Sequence, residues 1–334
     1  MSRRRKDSVR PRLGIAILAA TAILVAIAIY SWSTAEPTLE TMTVDDYPIT
    51  DGSSSTHPVG VIAACHLLDI PYRDYPWGDG SIRPWPDLEA KEHEEEIEKL
   101  TEKIVHHGTH GSYVSLIEGF SDLILVARLP SDEELDYAKR EGVEFEIRPF
   151  ALDAFVFVVN RNCSIKDFTL DEIRGIYTGN LTNWTELGGI EANITAYQRD
   201  DQSGSQQLMR RFVMGDLEMM DMYDWILTSM MGPINMLDQD KNGLGYSVYY
   251  FEQFMAPNDN LSLCAIEGVL PTAETIASGE YPLTTEVYVV IRKDQESDSL
   301  PHALRDWYLS KEGQDLVRKS GYVPMDDKII TYDI

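Results

Sequence analysis

Apolar positions in this chain come in blocks separated by turn-forming residues, and the first block is the longest. Behind the basic start MSRRRKDSVRPR, a nearly unbroken apolar run extends from Leu13 to Ile29, followed by Tyr30, Ser31 and Trp32. A run of this length with basic residues before it predicts a membrane helix over 13–30, a basic cytoplasmic tail over 1–12 and a tether over 31–43. Everything beyond would then lie outside the cell, on a single-pass cell-membrane protein. A removable signal peptide is the alternative, giving a secreted chain, although the run is long for such a core. No cysteine follows it to accept a lipid.

After residue 44 the blocks shorten and their period alternates between strand-like and helix-like. A strand is expected over 44–49, then the polar turn DGSSSTHP at 51–58, then a helix over 59–68. The Pro-, Trp- and Gly-rich stretch 71–86 reads as a loop, and 87–103 as a charged helix. A short apolar strand follows at 122–127, and SDEE at 131–134 opens a helix to 140. Strands are expected over 143–147 and 154–159 with a proline turn between them, and a helix over 168–179. Met-rich helical pieces run to 214 and again near 221–231, with a glycine- and tyrosine-rich segment at 243–251. Strands at 261–266 and 286–291 precede helical pieces at 304–308 and 313–319. This alternation predicts α/β layers throughout, and 334 residues with 43% hydrophobic content allow two lobes.

Charge narrows the partners. The formal net charge is -26, and beyond residue 35 there are 23 basic against 54 acidic side chains, a charge of -31. A body so acidic lacks the basic footprint that nucleic acid requires. A small anion is still admissible, because a few aimed N–H groups and one arginine act locally. Cys65, Cys163 and Cys264 show no CxxC spacing and read as small buried apolar residues. The run EHEEEIEK reads as a solvated helix face. His106, His107 and His110 crowd together without the fourth ligand a zinc site needs. No metal or cofactor is expected, and no enzyme: the serines sit in capping contexts, with His57 and His110 as the nearest imagined bases.

The candidate chemistry centres on YQRDDQSGS at 197–205, between an expected strand and a helix expected near Gln206. Such a junction exposes unpaired N–H groups at the positive end of a helix, where oxyanions are held. Ser203 and Ser205 either cap that helix or, with Gly204, surround a ligand. Arg199 adds a charged fork suited to phosphate or carboxylate. Ser53, Ser54, Ser55 and Thr56 in the first turn are candidates of the same kind. So are Gly111 and Ser112, taken as the opening of a helix through 114–117. Arg128, just beyond the strand at 122–127, lies at a sheet rim, the usual ligand position in an α/β lobe.

These stretches together resemble the phosphate-binding proteins of ABC transporters, in the type II periplasmic-binding-protein superfamily. The resemblance rests on DGSSSTHP at 51–58, GSYVSLIEGFSDLILVARLPSDEE at 111–134, FTLDEIRGIYTGNLTNWTELGG at 168–189, QRDDQSGSQ at 198–206 and GYVP at 321–324. It implies a two-lobed α/β fold, here with the N-terminal membrane helix, one lobe holding 44–153 plus 290–334 and the other 154–289. It further implies a monomer that closes on phosphate or a similar oxyanion and delivers it to a permease. Ser53–Thr56, Gly111, Ser112 and Arg128 would face the cleft from the first lobe, and Arg199, Ser203, Gly204 and Ser205 from the second. A membrane-anchored receptor or scaffold for another small anion or peptide, uncoupled from transport, is the alternative. One departure stands out: the family often has Asp, or Ser beside Arg, where this chain has Ala127 and Arg128. The acceptor that would recognise a protonated ligand oxygen is therefore not at its usual place, with Asp51, Asp200 and Asp201 the nearest carboxylates in sequence.

Overall fold

A 16-residue strand organises the fold. The computed structural model describes residues 37–221, 226–325 and 332–333, and Leu39–Ile334 falls in one compact unit. In chain order, Thr50–Gly52 (β1) leads to His57–Leu67 (α1), then Tyr72–Pro76 (β2), Ile82–Pro86 (β3), Glu94–Lys103 (α2) and Gly108–Glu118 (α3). Leu123–Val126 (β4), Asp132–Glu141 (α4) and the long Phe145–Asn160 (β5) follow. Next come Asp167–Phe168 (β6), Leu170–Tyr177 (α5), Thr195–Ala196 (β7), Gln198–Arg199 (β8) and Gly204–Leu208 (α6), which widens into π-helical turns over Met209–Met214. The chain continues through Ile226–Leu227 (β9), Met231–Gln239 (α7), Gly243–Val248 (β10), Leu261–Leu263 (β11), Ala265–Ile266 (β12) and Ala273–Ser278 (α8). Thr284–Arg292 (β13), Leu300–Leu309 (α9), Lys311–Ser320 (α10), Val323–Pro324 (β14) and Tyr332–Asp333 (β15) close it.

The main sheet runs β1-β4-β13-β5-β10-β7. Residues 145–154 of β5 pair antiparallel with β13, and 155–159 pair antiparallel with β10, so one strand serves both halves. β1 and β4 are parallel, as are β10 and β7, which leaves the chain turns after β1, β4 and β7 at strand C-terminal ends. In an open α/β sheet such ends are where ligands bind. The apolar sequence of β5 explains its burial on both faces: Phe150, Ala154, Phe155, Val156, Phe157 and Val159 are fully enclosed. A second, smaller cluster packs α3 and α4 through Tyr113, Leu116 and Ala138 against Ile124, Val126, Phe145 and Ile147.

Several expectations are corrected. Residues 44–49 form turns, and the first strand is Thr50–Gly52. The stretch 71–86 is a hairpin, because Asp79 turns the chain: its Oδ1 accepts from the Ser81 amide at 2.9 Å, and Gly80 takes φ 95°. No break separates 143–147 from 154–159. Pro149 is absorbed at a bulge, where the β13 register shifts between Val287 and Tyr288. The described part of 221–231 contains the short β9, not a long helix. The membrane helix expected over 13–30, and with it the single-pass placement and membrane contact, finds no counterpart in the described fold. Among the described residues no helix is long and apolar enough to cross a membrane. Residues 13–30 themselves lie outside the described residues.

Asp153 marks the place where β5 changes partners: Thr285 lies opposite it on β13, and Phe155 two residues on already pairs with Val248 of β10. Its Oδ1 accepts from the amides of Ala154 at 2.8 Å and Tyr250 at 3.0 Å, while Oδ2 is buried without a partner among the described residues. Burial pushes the carboxyl up to about 7, opposed by the two amide donors. A carboxyl raised in the folded state holds its proton more tightly than in the unfolded chain, so stability falls as pH rises from about 4 to about 7 and then levels off. Asp153→Asn, which keeps the acceptor at Oδ1, is expected to remove that slope and to stabilise the protein at pH 8 by a few kcal/mol, on the order of 1 kcal/mol per shifted unit. Urea melts at pH 4.5 and 8 check this; an unchanged pH slope in the variant refutes it.

Candidate functional site

Three turns converge on a cleft of about 480 Å³. Ser53, Ser54 and Ser55 enter it after β1, His106 to Gly111 from the start of α3, and Arg199 to Ser205 from the turn between β8 and α6. Thr228 after β9 adds a further polar residue, and Ala127 after β4, Leu208, Met230 and Val248 supply the apolar lining.

Each turn brings N–H groups that a regular element cannot satisfy. α3 begins at Gly108, earlier than expected, and its N-cap His107 makes no side-chain cap. The amides of Gly108, Thr109 and His110 therefore have no intrahelical acceptor. α6 starts at Gly204; the Ser203 hydroxyl caps it by accepting from Gln206 N at 3.2 Å, which leaves the amides of Gly204 and Ser205 open. In the first turn the Ser53 amide is used by Leu125 O at 3.1 Å, and those of Thr56 and His57 reach Ser53 O. The amides of Ser54 and Ser55 have no partner among the described residues. α6 and α3 come close together here: a Cβ on Gly204 would sit 2.8 Å from Thr109 Oγ1.

Arg199 is the buried cation of the cleft, 6% exposed. Its Nε donates to Leu227 O at 2.8 Å, Nη2 to Thr228 O at 3.2 Å and Nη1 to Ser205 Oγ at 3.3 Å. Tyr246 fixes its backbone by accepting from the Arg199 amide at 2.9 Å, while the Tyr246 hydroxyl donates to Gln206 Oε1. Among the described residues its nearest carboxylate oxygen is Asp200 Oδ2 at 3.8 Å. Burial lowers the affinity of this guanidinium for its proton, with Asp200 opposing. A buried cation held by carbonyls, with one distant counter-charge, favours an incoming anion.

The other expected site residues are placed as follows. Thr56 and Ser112 are fully buried behind the cleft wall; Ser112 Oγ donates to Asp51 Oδ1 at 3.0 Å. Arg128 does not line the cleft. It is 5% exposed and forms a fork with Glu134, Nη1 to Oε2 at 2.7 Å and Nη2 to Oε1 at 2.8 Å, with the guanidinium over the Tyr113 ring. Asp51 is occupied by the Gly52 amide, the His107 amide and the Ser112 hydroxyl, and its Oδ2 accepts from His107 Nδ1 at 2.7 Å. Asp201 pairs with Arg210 at the surface, and Asp200 lines the cleft.

Sequence reasoning read the histidines only as metal ligands or bases. They instead tie the turns together: His106 Nε2 lies 3.0 Å from Ser54 Oγ, His107 holds Asp51, and His110 Nδ1 lies 3.0 Å from Glu134 Oε1. Their clustering just before α3 was the available signal. Burial, followed by the Arg83 charge, holds His106 below the ordinary imidazole value. His57 stacks on Trp85 in the wall behind, and burial lowers it to about 3. All three cysteines are free, Cys65 and Cys264 buried and Cys163 half-buried.

The chain belongs to the periplasmic-binding-protein superfamily: a PBP superfamily domain matches residues 87–312. Among curated proteins it is similar to the phosphate-binding protein PstS of Bacillus subtilis, 28% identical over 200 residues. That match spans 58% of this chain and 64% of the relative. Protein SphX of Synechococcus elongatus is 23% identical over 302 residues, 85% of each chain. Among solved structures, a phosphate-bound putative phosphate ABC transporter substrate-binding protein from Clostridium perfringens has the same fold. Its TM-score is 0.59 at 23% identity, covering 83% of this chain and 98% of that one. An ABC-type phosphate transport receptor from Vibrio cholerae gives 0.57 at 17% identity, covering 82% and 98%.

The close approach of α3 and α6 gives a structural test. Gly204→Ala is expected to cost about 1–2 kcal/mol by overpacking against Thr109. Thr109→Ala in the same chain should recover most of that loss, because it removes the Oγ1 that the new methyl meets. Thermal melts of the two single variants and the double variant decide; simply additive losses would mean the two helix starts do not touch.

Proposed function

We propose that the cleft captures inorganic phosphate, or a tetrahedral oxyanion like it, for delivery to an ABC-transporter permease. The protein is a solute-binding protein, not an enzyme. Superfamily membership supports the class, and the names of the relatives support the ligand. The observation that carries the reading is Arg199, a buried guanidinium in a cleft lined by the open amides of two helix starts and of the turn at Ser54 and Ser55, with Asp200 at 3.8 Å as its nearest carboxylate among the described residues.

In this reading Arg199 neutralises the anion, and the amides at Ser54, Ser55, Gly108–His110, Gly204 and Ser205 satisfy its oxygens. Ser53, Ser54, Ser55 and Ser205 add hydroxyls that can turn as donor or acceptor. Gly204 lets α6 come against Thr109 and Gly111 leaves room for the His107 side chain, and Ser203 fixes the turn as its cap. Thr56, Ser112 and Arg128 act from behind, by holding the turns. The chain then divides into lobes of 44–153 plus 290–334 and 154–289, and ligand closes them by bridging contacts that the open form lacks.

Isothermal titration of phosphate into the protein tests the reading. Binding is expected, and Arg199→Gln should weaken it by about 10- to 100-fold, the worth of a charge-assisted hydrogen bond. Absence of heat and of any thermal shift with both phosphate and sulfate would end it.

A further inference from the structure

The cleft described so far is rich in donors, and a site made only of donors cannot tell a protonated oxyanion from a fully ionised one. Hydrogen phosphate carries an O–H that must be accepted; sulfate carries none. Discrimination therefore needs a lone pair that does not turn into a donor, since the serine hydroxyls of the cleft can serve either ion. Ala127 supplies none, Asp51 is filled by four donor contacts, and Asp200, which lines the cleft, sits against the Arg199 guanidinium with Oδ2 3.8 Å from Nη2.

Glu134 is equally full. It is 1% exposed, receives two bonds from Arg128, and accepts from the Ser131 amide at 2.8 Å. His110 Nδ1 is its remaining neighbour at 3.0 Å. An ionised carboxylate only accepts, so the proton between them belongs to Nδ1. Arg128 already pairs with Glu134, so the contact needs no charge on the ring, and the Nδ1–H tautomer meets it. The lone pair of that tautomer lies on Nε2. His110 lines the cleft, and its Nε2 has no partner among the described residues. His107 makes a related contact to Asp51 Oδ2, but its side chain is 58% exposed against 27% for His110, so water reaches its ring more freely.

We propose that His110 is the specificity-determining residue of the cleft, accepting through Nε2 the proton of a monoprotonated tetrahedral oxyanion and so favouring hydrogen phosphate over sulfate. Arg128, Glu134 and the Ser131 cap are positioning residues that fix its tautomer. This rests on the oxyanion reading given above.

The test is titration of phosphate and of sulfate into the wild-type protein and His110→Asn at pH 7.5. Asparagine can keep a donor toward Glu134 and lacks the outer acceptor. The wild type is expected to prefer phosphate strongly, and the variant to lose about 10-fold or more of that preference, the worth of one buried hydrogen bond. The loss should fall on phosphate, with sulfate affinity unchanged. A purely structural role would weaken both ions together and leave their ratio intact, which would overturn the inference. Equal affinity of the wild type for the two ions would also overturn it while leaving the oxyanion cleft standing. Binding of neither ion by the wild type would overturn both.

Discussion

The cleft depends on keeping one guanidinium charged away from water. Arg199 is held by two carbonyls after β9 and one hydroxyl at α6, and its backbone is fixed by a tyrosine that in turn binds α6 through Gln206. Carbonyl dipoles solvate a cation without cancelling its charge, whereas a carboxylate at contact distance would do both. Asp200 at 3.8 Å stands between these cases. The arrangement is costly when empty, and it creates the demand for an anion.

The long strand β5 makes that arrangement possible. It lends its first part to β13 and its second to β10, so β1, before the turn at 53–55, and β7, which leads through the separate β8–β9 pair into the turn at 199–205, lie on opposite flanks of one sheet. A stacked pair carries the connection further. Tyr250, whose amide Asp153 holds, lies on Tyr322 with ring centroids 3.9 Å apart and 2° between planes; the Tyr322 hydroxyl donates to Ser55 O at 2.8 Å. The place where β5 changes partners is thus joined to a cleft serine through packed aromatic rings and two hydrogen bonds. Both ends are rigid, because such rings bury large areas with few rotatable bonds.

Much of this was legible in the sequence, for reasons that differ by region. The SDEE and TLDE patterns encode capping boxes, and both form, at Ser131 with Glu134 and at Thr169 with Glu172. The most family-specific stretch, 168–189, builds α5 and the buried Trp184 turn, and none of it lines the cleft; what is most recognisable here is packing. The small-residue turns were readable because unpaired N–H groups follow from local geometry. Arg128 was misread because the position of a cation at a strand end does not reveal its partner. Glu134 lies six residues on, and only the turn into α4 brings the two together. The hairpin at 71–86 was hidden because prolines at both ends mask strand character on an edge pair, where missing amides cost little. The N-terminal apolar run was read from its length and the basic residues before it, and the described fold contains no helix of that kind.

The acidic balance of the molecule fits an anion site once distances are considered. Charges beyond a Debye length, about 8 Å at physiological salt, are largely screened. Most carboxylates here are solvated or paired at the surface, as Asp201 is with Arg210 and Asp87 with Arg73. The two carboxylates buried around the start of α3, Asp51 and Glu134, are saturated by donors. Each has its charge spread into hydrogen bonds before it can act on the cleft. The field that a bound ion meets is set instead by a guanidinium and the open amides of two helix starts, at short range and with little water between. Net charge then governs how often an anion arrives. The local donors, together with a lone pair held in place by Arg128 and Glu134, govern which anion remains.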